Sequence, residues 1–154
     1  MPLRRTIRTV ATALALALPT AVAAPQAVAA PSPIERADAA MARDASSFVS
    51  QRTFAPPFDW SNDGCSNPLP VNADDLFHVP CVQHDFGYRN YGARGRLRLD
   101  PTSTRRRWVD DRFLVEMRRV CDRRFGGARR TACRGVARAY WAGVRTFGAR
   151  AFGY

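Results

Sequence analysis

The chain has 154 residues, 24 of them basic and 13 acidic, for a net charge of +11. That length excludes more than a single modest core. Every basic residue is Arg, which a GC-rich coding sequence explains as readily as attraction to an anionic partner such as a lipid headgroup surface or a nucleic acid. At the N-terminus Arg4, Arg5 and Arg8 precede an apolar run from Val10 to Pro19. Small residues follow in A-x-A form at Ala21-Val22-Ala23 and Ala27-Val28-Ala29. This is the pattern of a secretory signal peptide over residues 1–29, cut near 23 or 29. The apolar run falls short of the ~20 residues that a bilayer-spanning helix needs. The expected mature domain, residues 30–154, keeps 21 basic against 13 acidic side chains, or +8.

Residues 25 to 33 are rich in Pro and Ala and read as a flexible start. From Ile34 to Val49 helix formers predominate, with Ile34, Ala37, Met41, Ala45 and Phe48 on one side, which predicts a first helix. Ala55-Pro56-Pro57 lies beyond it and opens a turn-rich stretch, marked by Ser61-Asn62-Asp63-Gly64, Asn67-Pro68 and Asn72-Ala73-Asp74-Asp75. Pro80 suits a first helical turn, so a helix is expected from Cys81 to Tyr91, with Gly92 and Gly95 as stop signals. A longer helix follows from Thr102 or Ser103 to about Phe125, striped with Phe113, Leu114, Met117, Val120 and Cys121. Gly126-Gly127 reverses the chain. A last helix carries Cys133, Val136, Ala137, Tyr140, Trp141, Val144 and Phe147 at helical spacing. No alternating run is long enough for a strand, so the domain should be nearly all helix.

Four cysteines in an exported chain imply two disulfides, with three pairings possible. The most local pairing, Cys65 with Cys81 and Cys121 with Cys133, is the expected one. The second bond would staple the hairpin of the two long helices, and each closure is worth roughly 3 kcal/mol in loop entropy.

The chemistry centres on Cys81-Val82-Gln83-His84-Asp85. At about 100° per residue Cys81, His84, Asp85 and Tyr88 share a helix face. Asp110 stands four, seven and eleven residues before Leu114, Met117 and Cys121, within an apolar stripe where a carboxylate is costly without a partner. Asp111 turns toward the polar flank. Two partners are open to Asp110: one of the many arginines, or the ring of His84 across the helix interface. The second would fix the imidazole tautomer and leave the other ring nitrogen as a base, with water as the nucleophile. Asp85 diverges from the His84 ring and suits a hard cation. With Cys65 bonded to Cys81, the Asp63-Gly64 turn would be pinned beside Asp85. Two carboxylates, the Gly64 carbonyl and waters then form a set suited to calcium. Alone, Asp63 is an ordinary turn residue before glycine. A rival assembly draws Cys65, His78, Cys81 and His84 into a zinc site, which export disfavours because cysteines outside the cell oxidise.

The run CVQHDFGYRNYG, preceded by FDWSNDGC and followed by WVDDRFLVEMRRVC, resembles the secreted phospholipases A2 of the prokaryotic type over about Phe58 to Phe147. The resemblance implies an all-α, disulfide-bonded domain with a long calcium-binding loop and two long antiparallel helices. It implies a calcium enzyme that releases the sn-2 fatty acid of phospholipids, with His84 as general base and Asp110 orienting it. Tyr88 would support the pair, or serve only as a core aromatic. Asp63 and Asp85 would bind calcium through carboxylates and Gly64 through its carbonyl. The chain departs from the family in carrying Gly64 where relatives have a bulkier apolar residue, and in the stretch from Ser66 to Val79. Arg105, Arg106 and Arg107 would either dock an anionic interface or form a solvated helix face.

The expected function is that of a secreted, extracellular, calcium-dependent phospholipase A2. It would act as a monomer on a phospholipid membrane or micelle surface, without nucleic acid. The alternative is a cationic membrane-binding or toxin-like protein that keeps the scaffold without turnover. A nuclease or nucleic-acid binder rests on charge alone and would show a steep salt slope.

Overall fold

A computed structural model describes residues 29–66 and 73–153. Among them lie six helices and no strand: α1 (Pro33–Ala42), α2 (Ala45–Ser50), α3 (Asp74–Tyr91), α4 (Ser103–Arg124), α5 (Gly127–Phe147) and α6 (Ala149–Phe152). Apart from Ala29, the expected signal peptide lies outside the described residues, as do the Asn67-Pro68 turn signal and Asn72.

The single helix expected from Ile34 to Val49 is two helices. Arg43 is extended, and the Asp44 carboxylate accepts the Ser47 N–H at 3.0 Å to start α2. An aspartate is worth more as an N-cap than inside a helix, where it competes for backbone groups. The buried Ala45 N–H, which has no partner within the new helix, is met from α4: Glu116, 1% exposed, accepts it at 3.0 Å and is itself paired with Arg112 and Arg119.

Helix α3 begins seven residues before Cys81, so Pro80 lies inside it and not in its first turn. Its N-cap, Ala73, has no side chain to satisfy the first amides. The phenol of Tyr140 on α5 does so instead, accepting the Ala73 N–H at 2.9 Å and donating to Asp74 Oδ1 at 2.7 Å. This tertiary cap offsets the backbone bond that Pro80 removes. Asp74 and Asp75, read as turn residues, form the acidic first turn that a helix N-terminus favours.

The α4–α5 hairpin forms as expected. Thr102 caps α4 through its hydroxyl, Gly127 makes the reversal at φ +50°, and the Cys121–Cys133 disulfide joins the helices. Three successive arginines cannot share a face at about 100° per residue, and no triple-arginine docking surface exists. Arg105 pairs with Asp38 and Asp100 and lies over Tyr91 and Trp108, Arg106 is buried, and only Arg107 is 71% exposed.

Helix α3 carries a core on each side. Val82, Phe86 and Tyr91 pack with Met41, Phe48, Val109 and Phe152, while Phe77 and Cys81 pack with Phe113, Met117, Cys133 and Tyr140. The helices approach closely because Gly87 faces α4: a Cβ there would stand 2.7 Å from Val109 Cγ1 and 3.3 Å from the Met41 methyl. Gly87→Ala is therefore expected to destabilise the domain by about 1–3 kcal/mol through overpacking. Urea unfolding should show it, and an unchanged midpoint would contradict this account of the contact.

Candidate active site

The close α3–α4 contact brings together two residues 26 positions apart. His84 Nε2 and Asp110 Oδ1 are 2.9 Å apart, with Asp110 fully buried and His84 9% exposed. Both partners open to Asp110 in the sequence are taken. Its Oδ1 also accepts the Tyr88 hydroxyl at 2.8 Å, while Oδ2 accepts Arg145 Nη1 at 2.7 Å and faces Arg106 at 3.6 Å. Burial opposes ionisation of Asp110, but hydrogen bonds from His84, Arg145 and Tyr88 outweigh it and hold the carboxyl below its usual range.

Arg106 does a second job. It donates to the carbonyls of Val144 and Arg145, at 3.0 and 3.4 Å, near the C-terminus of α5. A cation is favourable there, where carbonyls lack helical partners. The sequence marks neither Arg106 nor Arg145 as the partner of Asp110 among its many arginines. The i, i+4 spacing of Arg106 to Asp110 was the available signal, whereas Arg145 is reached only through the fold.

Tyr88 is both a core aromatic and a hydrogen-bond donor. Its ring packs edge-on to Phe152 at 5.1 Å and tilts over the His84 ring at 4.3 Å. Burial, followed by the Asp110 charge, pushes its phenol pKa upward, so it stays a donor. Gly148 makes room for it, since a Cβ there would lie 2.5 Å from the Tyr88 oxygen.

The Cys65–Cys81 disulfide ties the loop of Asp63 and Gly64 to α3. The Asp63 N–H donates to Asp85 Oδ2 at 3.0 Å. Asp63 Oδ1 accepts Arg89 Nη2 and Oδ2 accepts the Ser66 hydroxyl, both at 2.8 Å. The Ser66 hydrogen bond lowers the Asp63 pKa, while burial raises that of Asp85 to about 6. Gly64 sits at φ +73°, a left-handed backbone that glycine adopts without strain.

Among the described residues no three His, Cys, Asp or Glu side chains converge as metal ligands. The set here is two carboxylates and a backbone carbonyl, which fits a hard cation in kind. Asp85, largely desolvated beside a second carboxylate, is the group a cation would relieve. The disulfide removes both thiolates that a zinc site would need.

His84, Asp85, Asp63 and Gly64 share one cavity of about 830 Å³. Its other wall is apolar, from Phe113, Tyr140, Val144 and Phe147, and Arg89 and Arg94 stand at its polar side. Phe58 and Trp60 pack against the α1–α3 core, and Phe77 is fully buried.

A small helical domain stapled by two disulfides, with a histidine–carboxylate pair opening on a half-apolar cavity, has the make-up of a lipolytic enzyme. The sequence profile of the prokaryotic phospholipase A2 family matches residues 38–148, and the chain belongs to that family. It is similar to a protein named secretory phospholipase A2 from Beauveria bassiana, 37% identical over 90 residues, covering 58% of this chain and 44% of the relative. A second protein of that name, from Arthroderma benhamiae, is 32% identical over 108 residues, covering 67% of this chain and 70% of the relative. The chain thus spans less than half the length of the Beauveria protein.

Proposed function

We propose that this protein is a secreted, calcium-dependent phospholipase A2 that hydrolyses the sn-2 ester of glycerophospholipids at a membrane or micelle surface. The observation that carries the reading is the His84–Asp110 hydrogen bond in a cavity that also takes in Asp63, Gly64 and Asp85. Both relatives bear the name secretory phospholipase A2, which supports export as well as activity.

With Nε2 turned to Asp110, the remaining ring nitrogen, Nδ1, is the base. It takes a proton from water as the water oxygen adds to the ester carbonyl carbon. When the tetrahedral intermediate collapses, the C–O bond to the glycerol breaks. The departing alkoxide takes the proton back from His84, giving fatty acid and lysophospholipid. Asp110 stabilises the transient imidazolium and stays ionised, as the orienting carboxylate of a triad does. Tyr88 and Arg145 keep that carboxylate in place. Asp63, Asp85 and the Gly64 carbonyl would hold calcium, which supplies positive charge to the ester oxygen and the phosphate. The apolar wall at Phe113, Val144 and Phe147 suits an acyl chain.

Phosphatidylcholine vesicles labelled in the sn-2 chain test this. Release of the labelled fatty acid in calcium, abolished by chelator, is the expected result. Vesicle binding without release would move the protein to the cationic membrane-binding alternative.

A further inference from the structure

Arg89 lies one helical turn after Asp85, so the face of α3 that meets the Asp63 loop carries both a carboxylate and a guanidinium. The guanidinium spends one Nη2–H on Asp63 Oδ1 at 2.8 Å. Its Nε–H is buried and has no acceptor, a costly state for a donor. Arg89 is therefore anchored by a single bond to an Asp63 that is 62% exposed, and that bond uses the carboxylate a divalent ion would need.

We propose that Arg89 is the resident counter-cation of Asp63: it holds the carboxylate in the metal-free protein and competes with calcium for it. The inference rests on the assignment of Asp63, Gly64 and Asp85 to calcium. A divalent ion at Asp63 would draw on the same carboxylate charge as the guanidinium, with Oδ2 already accepting the Ser66 hydroxyl, and the two cations repel at that distance. Metal entry thus weakens the Arg89–Asp63 bond and loosens a planar, bidentate anion ligand at the cavity edge. Arg89 also ties the loop to α3 before metal arrives. A residue that merely preorganised the site would, on removal, weaken calcium binding; a competitor, on removal, strengthens it.

Calorimetric calcium titration of the purified protein, without lipid, separates the two. Arg89→Gln is expected to bind calcium about two- to fivefold more tightly, the range a partly exposed ion pair allows. Arg89→Lys, which keeps charge but loses the planar fork, should lie between. Arg94→Gln removes a charge from the same cavity without touching Asp63 and should change affinity far less. Unchanged or weaker binding in Arg89→Gln overturns the proposal, as does equal tightening in Arg94→Gln, which would mean long-range charge alone. Asp85→Asn guards the underlying assignment. If wild type binds no more calcium than this variant, the metal site fails and the proposal with it; if Asp85→Asn abolishes binding while Arg89→Gln leaves it unchanged, the proposal alone fails.

Discussion

Replacing His84 with Asn is expected to lower sn-2 hydrolysis by about 10³-fold or more, toward the upper end of what a general base contributes. The fold should survive. The asparagine amide ends near the position of Nδ1 and falls short of Asp110, but Tyr88, Arg145 and Arg106 still hold the buried carboxylate. What disappears is the second ring nitrogen, since a carboxamide cannot accept a proton at neutral pH. The loss should fall on kcat, with vesicle binding and calcium affinity close to wild type. Circular dichroism and calcium titration separate this from misfolding. Activity within tenfold of wild type would remove His84 from the role of base.

Asp110→Asn is expected to damage both rate and stability. The carboxylate is 0% exposed and faces two guanidinium groups, one buried and one 26% exposed. Removing one member of a buried charge cluster leaves the rest uncompensated, typically a cost of about 3–5 kcal/mol. Because Arg145 can turn toward water, the lower end applies, about 3 kcal/mol, or roughly 10 °C or more in melting midpoint for a domain of this size. The pH dependence has a definite sign. The folded-state pKa of Asp110 lies below its ordinary value, so its stabilisation is present above the unfolded pKa and is lost as pH falls through the folded one. The stability gap between wild type and Asp110→Asn should be constant near neutrality and close below about pH 4, where the unfolded carboxyl titrates. A gap that widened on acidification would contradict the depressed pKa. On the rate side, the amide can present its oxygen to the arginines and its NH₂ to the ring, which favours the wrong imidazole tautomer, as in a triad lacking its aspartate.

Local pattern alone carried several features of this protein. The 3.6-residue stripes of α4 and α5, the Gly126-Gly127 reversal and the two local disulfides all follow from spacing within about twenty residues, where periodicity and chain connectivity act directly. The burial of Asp110 was legible for the same reason, because a helix places every third or fourth residue on one side. The tertiary structure decided what local spacing cannot express. Asp44 broke the first helix with help from Glu116, 72 residues away in sequence, and Tyr140 of α5 moved the start of α3 back to Asp74 by capping it from outside. Asp110 took both its possible partners because α3 and the end of α5 converge on the same side of α4. Arg89 met Asp63 only because a disulfide holds the loop against α3. In each case the deciding group is a buried or half-buried polar atom that needs a partner. A sequence shows that such a need exists, but which distant side chain meets it is settled only when the helices pack.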